Sequence, residues 1–260
     1  MIAVTFRSGC RLPPSPLPFA QMTTPFLKER TDLETILFFL ILAYLVAALP
    51  NHTRFKKSDY GSASGHRFAE TLLDKGTNGD FLIFNHLEKM GEPNRLLPDL
   101  HLPKSDGSMT EIDLVMIART GIYVFGAKNY SGCIFGDEDS RYWTHSMKRG
   151  QKQHFQNPIW QNESHISLLK RQLGIEADAF KSYVVFSERC TLKKMFVQSG
   201  PGCVKVMNRD CLVREIIKDM AELPDIFTPL EIDQIYSELA PYMGAAVGIG
   251  QAQIETVRLE

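Results

Sequence analysis

The sequence predicts an α/β (α+β) domain, a central mixed sheet flanked by helices and preceded by one hydrophobic N-terminal helix. Three observations predict it. Apolar runs of strand length recur at 111–118, 122–128 and 182–187. Stretches suited to helices follow them at 158–173, 211–223 and 229–239. An uninterrupted apolar run, Ile36 to Leu49, stands ahead of everything else that reads as folded.

Residues 1–30 read as a disordered extension, because RLPPSPLPF is proline-rich and favours extended backbone. Met22 begins a shorter reading, in which the first 21 residues are an upstream misread start. The apolar run would span about 21 Å as a helix, at about 1.5 Å per residue. A hydrocarbon core is about 30 Å thick. Taken over 33–50, the segment reads first as a single-pass transmembrane helix. Lys28 and Arg30 flank it on one side, and Arg54, Lys56 and Lys57 on the other. A cleaved signal peptide ending near Val46-Ala47-Ala48 and a buried core helix are the alternatives.

Residues 51–64 are polar and suit a linker, so the main domain is expected over 65–260. HRFAETLLDK places Phe68, Leu72 and Leu73 at helical spacing, with Gly76 as a stop. FLIFNHL, Phe81 to Leu87, reads as a short apolar strand, and another is expected near Leu100 to Leu102. SDGS at 105–108 is a turn. Glu111 to Ala118 and Ile122 to Lys128 are strands, reversed at Arg119-Thr120-Gly121, and Cys133 to Phe135 is a short continuation. Pro158 suits the first turn of a helix running to Leu173. SYVVFS (182–187) and CVKVM (203–207) read as buried strands. CLVREIIKDMAEL is amphipathic, and Pro229 to Leu239 is the last helix.

Of the 260 residues 44% are hydrophobic and 23% charged, enough for a packed core. The net charge of −1 excludes nucleic-acid binding by bulk positive charge and leaves local patches open. Five cysteines without a C-x-x-C pair read as free thiols. They point to a reducing compartment and a cytoplasmic C-terminal domain. His145, His154 and His165 follow no zinc spacing.

The chemistry concentrates in EIDLVMIARTGIYVFGAKNYSG, residues 111–132. Asp113 opens one strand and Lys128 closes the next. Phosphodiester hydrolysis needs cations that neutralise phosphoryl oxygens and activate water. Mg²⁺ commonly takes one or two protein carboxylates. Side chains alternate along a strand, so an acid at 126 would lie on the same face as Lys128. The residue there is Gly126.

This stretch resembles the core of the NERD (nuclease-related) domain, a branch of the PD-(D/E)XK nuclease-like fold, and the resemblance covers most of residues 65–240. GHRFAE is similar to the family's opening G-x-x-G-E helix, with Ala69 in place of the second glycine. EIDLVMIARTGIYVFGAKNYSG is similar to its acid strand, turn and lysine strand. Trp143 and QNPIWQNESH (156–165) are similar to its Trp and N-P-x-x-Q elements. The resemblance implies a restriction-endonuclease-like sheet and a role in DNA processing. It implies Glu70, Asp113 and Lys128 in the active-site positions, with Mg²⁺ or Mn²⁺ held by Glu70 and Asp113. It also makes a membrane segment ahead of the domain unsurprising.

Where the family reads Glu-x-Lys, this chain reads Gly126-Ala127-Lys128. Glu70, Glu111 and Glu163 are the candidates to supply the missing carboxylate. Two functions stand side by side: a metal-dependent nuclease, or an inactive module that binds nucleic acid or protein on the same fold. Lys148, Arg149 and Lys152 form the best basic cluster, and with Gln161 they are the candidates to contact nucleic acid. Asn157 and Gln161 otherwise cap loops, which is the preferred role. Trp143 is expected in the core, and Tyr130 and Phe135 either in the core or along the cleft.

Overall fold

The computed structural model describes residues 24–91, 93–147, 150–197 and 204–244. The chain divides into two compact units, residues 1–50 and 51–260. The helix α1 (Thr24–Lys57) contains the apolar run of the first unit. Ile36, Leu37, Phe38, Phe39 and Leu40 are all exposed. Among the described residues, no helix is long and apolar enough to cross a membrane, against the span expected over 33–50. The uninterrupted apolar run within α1, at about 21 Å, is shorter than a hydrocarbon core of about 30 Å.

In the second unit the polar stretch 51–64 is helical rather than a plain linker. α1 continues through it to Lys57, and α2 (Tyr60–Ser64) follows. Phe55 packs on Tyr60 and Phe81, which draws this stretch into the core. α3 (Phe68–Leu73) and α4 (Lys75–Leu87) come next. The strand expected at Phe81 to Leu87 is therefore the end of a helix. Asp74 starts that helix by accepting a hydrogen bond from the Thr77 backbone N–H at 2.8 Å. Phe81, Ile83, Phe84 and Leu87 are buried in a helical face. A short apolar run looks alike in a buried strand and a buried helix, and only the cap separates the two.

Five strands form the main sheet: β1 (Arg95–Pro103), β2 (Met109–Ala118), β3 (Gly121–Lys128), β7 (Phe180–Phe186) and β9 (Lys205–Asn208). They lie in the order β1-β2-β3-β7-β9. The first three are antiparallel, and β7 and β9 join parallel. The helices α5 (Pro158–Leu173), α6 (Leu212–Glu222) and α7 (Pro229–Leu239) complete the layers. Residues of α4 and α6 share one core with Leu114, Met116, Tyr123 and Phe125. Residues of α5 and α7 share the other with Val115, Ile117, Ile122 and Val124. This is a mixed α/β fold with helices on both faces of a mixed sheet.

A second sheet, in the order β6-β5-β4-β8, was not foreseen beyond Cys133 to Phe135. Its strands are β4 (Gly132–Asp137), β5 (Tyr142–Ser146), β6 (Lys152–Gln156) and β8 (Cys190–Phe196). A third core of Ile134, Trp143, Ile159, Val184 and Phe186 packs between this sheet and the first. Trp143 is buried there, stacked on Phe186. Tyr130 packs against the same core and stacks on His145.

The alternation of side chains breaks midway along β1 and β2. Leu114 and Met116 face one core, yet Ile112 faces the other. Pro98 pairs with Leu114 and Leu100 with Ile112, which sets Asp99 opposite Asp113. Asp99 has φ 53°, a left-handed conformation that a non-glycine residue adopts only at a cost. Both strands thus flip at a matched pair of acids.

Candidate active site

At this break lies an open cavity of about 420 Å³. Asp74, Thr77 and Asp80 line it from the start of α4, Asp99 and His101 from β1, Glu111 and Asp113 from β2, and Ala127 and Lys128 from β3. His66 closes one side.

Each side chain arrives by a local device. The register of β2 and β3 begins at Leu114 and Phe125, so one step further sets Asp113 opposite Gly126. The Asp113 carboxylate accepts the Ala127 backbone N–H at 2.8 Å. A side chain replaces the ladder bond, and the carboxylate is oriented as the strands part. Lys128 is the last residue of β3, and its ammonium donates to Gln161 Oε1 of α5 at 3.0 Å. α4 approaches closely because Gly79 has no side chain, a Cβ there lying 3.1 Å from the Asn129 Cβ. Asn129 fixes the approach by donating to the Lys75 carbonyl at 2.6 Å. Asp80, the next residue after Gly79, is thereby carried into the cavity.

Like charges crowd this space. Burial, and then the neighbouring Asp113 and Glu111, push the Asp80 carboxyl well above the usual range, while Lys128 pulls it back. Burial raises the Glu111 carboxyl, and Asp99 and Asp113 add to it. Asp99 accepts contacts from His101 Nε2 at 3.0 Å and from His66 Nε2 at 3.5 Å. Such a cluster is costly without a compensating cation.

Among the described residues, no group of three His, Cys, Asp or Glu side chains is arranged to hold a metal ion. The oriented Asp113 carboxylate with a neighbouring acid fits a Mg²⁺ or Mn²⁺ that keeps several of its waters. The crowding of Asp80 against Asp113 and Glu111 is the chemistry such an ion relieves.

Of the residues singled out in the sequence, Asp113, Lys128 and Glu111 meet in the cavity, and Gln161 touches Lys128. Glu70 does not line it. Its carboxylate accepts the Arg67 backbone N–H at 2.8 Å and closes a capping box on α3. Glu163 is exposed on α5, and Lys152 is exposed on β6. Lys148 and Arg149 lie outside the described residues. Asn157 caps α5: its Oδ1 accepts the Ile159 N–H, and its amide donates to the carbonyls of Glu138 and Ser140.

Gly126 faces α5. A Cβ there would lie 3.7 Å from Asn162 Oδ1, an ordinary contact. Asn162 donates to the Val124 carbonyl and to the Ser182 hydroxyl, and its Oδ1 has no partner. His165 Nδ1, one turn along the helix, has none either. Burial pushes the His165 imidazole down, toward its neutral form.

The model of the nuclease-related domain (NERD) matches residues 75–187. An uncharacterized protein of Bacillus anthracis is 27% identical over 167 residues, which is 64% of this chain and 72% of that protein. No solved structure matches. The match begins after Glu70, and Gly76-Thr77-Asn78-Gly79-Asp80 carries both glycines of a G-x-x-G-acid motif. GHRFAE carries only the first, so the signal that finds Asp80 was present in the sequence, ten residues beyond Glu70. Residues 75–187 are thus similar to a nuclease-related domain, and β2, β3 and β7 of the main sheet lie inside the matched stretch.

Proposed function

We propose that this domain hydrolyses phosphodiester bonds in nucleic acid with a divalent cation held by Asp80 and Asp113. The observation that carries the reading is the gathering of Asp80, Glu111 and Asp113 in one cavity beside Lys128. A divalent cation bound there supplies charge neutralisation at the phosphoryl oxygens and a more acidic water. Asp113 is held in one orientation by the Ala127 N–H, so the carboxylate needs little rearrangement. Lys128 is tethered by Gln161, which keeps its ammonium at the cavity wall. From there it stabilises negative charge that develops on the phosphate and orients the attacking water. Burial and the neighbouring acids push the Asp80 carboxyl up, and a bound cation would favour its ionised form. DNA is the first substrate to test.

Gly126 favours a second reading, an inactive module that binds nucleic acid on the same fold. Plasmid nicking by the full chain separates the two, run with Mg²⁺, with Mn²⁺ and with chelator. The parent is expected to nick, and Asp113→Ala and Asp80→Asn to abolish nicking. Salt-sensitive retention of DNA without cleavage in any metal would replace the nuclease with the binding module.

A further inference from the structure

We propose that His101, held by Asp99, is the general acid that protonates the leaving sugar oxygen as the phosphodiester bond breaks. The inference rests on the hydrolytic reading of the cavity and gives a role to the side of it that Asp80 and Lys128 do not occupy.

The backbone of β1 is bent in a way that delivers this side chain. Leu96 packs into the core shared with α4 and Leu97 into the core shared with α7, as alternation along a strand requires. Continued, that alternation would turn His101 toward α7, and Leu100 and Leu102 toward the cavity. Instead Leu100 and Leu102 are buried on the α7 side, and His101 lines the cavity. The change of face occurs at Asp99, whose φ of 53° is costly for a residue with a side chain. Asp99 then holds the ring that its strain delivers. It is 8% exposed, and its Oδ1 lies 3.0 Å from His101 Nε2. An imidazole fixed through Nε2 presents Nδ1 as its second nitrogen, and among the described residues His101 Nδ1 has no hydrogen-bond partner. His66 is placed differently: its Nε2 faces Asp99 at 3.5 Å, its Nδ1 faces Glu70 at 3.9 Å, and its ring stacks on Tyr60. The other ionisable groups around the cavity are Asp74 and Asp80 of the helical wall and Glu111, Asp113 and Lys128 of the sheet.

Position in the sheet assigns the role. His101 on β1 and Lys128 on β3 flank β2, which carries Asp113 between them. Two strand spacings amount to about 10 Å. Two hydrogen bonds of about 3 Å each leave about 4 Å for the attacking oxygen, phosphorus and leaving oxygen in line. A phosphate over Asp113 thus has Lys128 on the side of the water and His101 on the side of the leaving group. The water oxygen bonds to phosphorus and loses one proton to solvent. The bond from phosphorus to the sugar oxygen breaks with its electron pair on that oxygen, which takes the Nδ1 proton of the imidazolium. Solvent then returns a proton to Nδ1. Asp99 orients the ring and is a positioning residue.

The test is cleavage of two DNA duplexes by the full chain with Mn²⁺. One is ordinary, and the other carries sulfur in place of the leaving oxygen at the bond mapped as cleaved, because a thiolate leaves without being protonated. His101→Gln is expected to slow cleavage of ordinary DNA about 100-fold. It should cleave the sulfur-bridged DNA at close to the parent rate, which also shows that the variant is folded. Asp99→Asn, with a residue that tolerates the left-handed conformation, should show the same pattern with a smaller loss. Asp113→Ala should lose both substrates. If His101→Gln is equally slow on both, or as fast as the parent on ordinary DNA, the inference falls and the hydrolytic reading stands. Recovery on sulfur by His66→Gln in place of His101→Gln would also overturn it. If the parent cleaves neither DNA, both fall together.

Discussion

Asn157→Ala tests how the fold holds α5 at the site. Asn157 is 1% exposed and makes two kinds of bond. Its Oδ1 caps α5 through the Ile159 N–H, and loss of such a cap costs about 1 kcal/mol. Its amide donates at 2.9 Å to the carbonyls of Glu138 and Ser140, and each net bond is worth about 1 kcal/mol. The sum is about 3 kcal/mol. For a unit of this size that corresponds to a fall in Tm of about 6–12 °C. Thermal melts by circular dichroism measure it. Asn157→Asp separates the parts, because aspartate still caps but cannot donate, so it should recover about 1 kcal/mol of the loss. Melts within about 2 °C of the parent for Asn157→Ala would refute the account of this latch.

Two further outcomes follow from the site and its surroundings. Asp80→Asn is expected to raise the Tm of the metal-free protein at neutral pH and to leave it unchanged near pH 3. The sign comes from linkage: the folded-state carboxyl lies above its unfolded value, so its stabilising contribution is present in acid and lost as pH rises through the folded pKa. Melts across that range decide it, and an equal effect at all pH values would contradict the crowding of Asp80 with Asp113 and Glu111. Gly136→Ala is expected to destabilise by about 1–3 kcal/mol, because a Cβ there falls 2.4 Å from Trp143 Cδ2. Denaturant titration measures the loss, and a neutral result would contradict the packing of the third core.

The parts of the fold that were legible carry strong local signals. Pro158 and Pro229 sit in the first turns of α5 and α7, and both helices run as expected to Leu173 and Leu239. The strand pair that carries Asp113 and Lys128 was legible because its apolar residues are continuous and its turn is tight. α4 was not, because Phe81 to Leu87 lacks polar interruptions that would show its period. Most of the second sheet was hidden for the opposite reason. β6 carries Lys152, Gln153 and His154, all exposed, and little in their order marks a strand. At the site, Asp113 and Lys128 were legible from their strands. Asp80 was missed because a helix read as a strand would point it elsewhere. Asp99 enters only through a backbone flip at φ 53°, which no periodicity announces. The transmembrane expectation over 33–50 rested on hydrophobicity, and among the described residues no helix is long and apolar enough to cross a membrane.

The most direct test of the acidic cavity is calorimetric titration of the metal-free full chain with Mn²⁺ at neutral pH, in buffers of different ionisation enthalpy. Binding with release of protons is the predicted result, because a cation there favours the ionised form of a carboxyl that burial and the neighbouring acids push toward its protonated form. Asp80→Asn should lose the proton release, and Asp80→Asn with Asp113→Asn should lose the binding. Mn²⁺ heats unchanged in the double variant, or absent from the parent, would contradict the account.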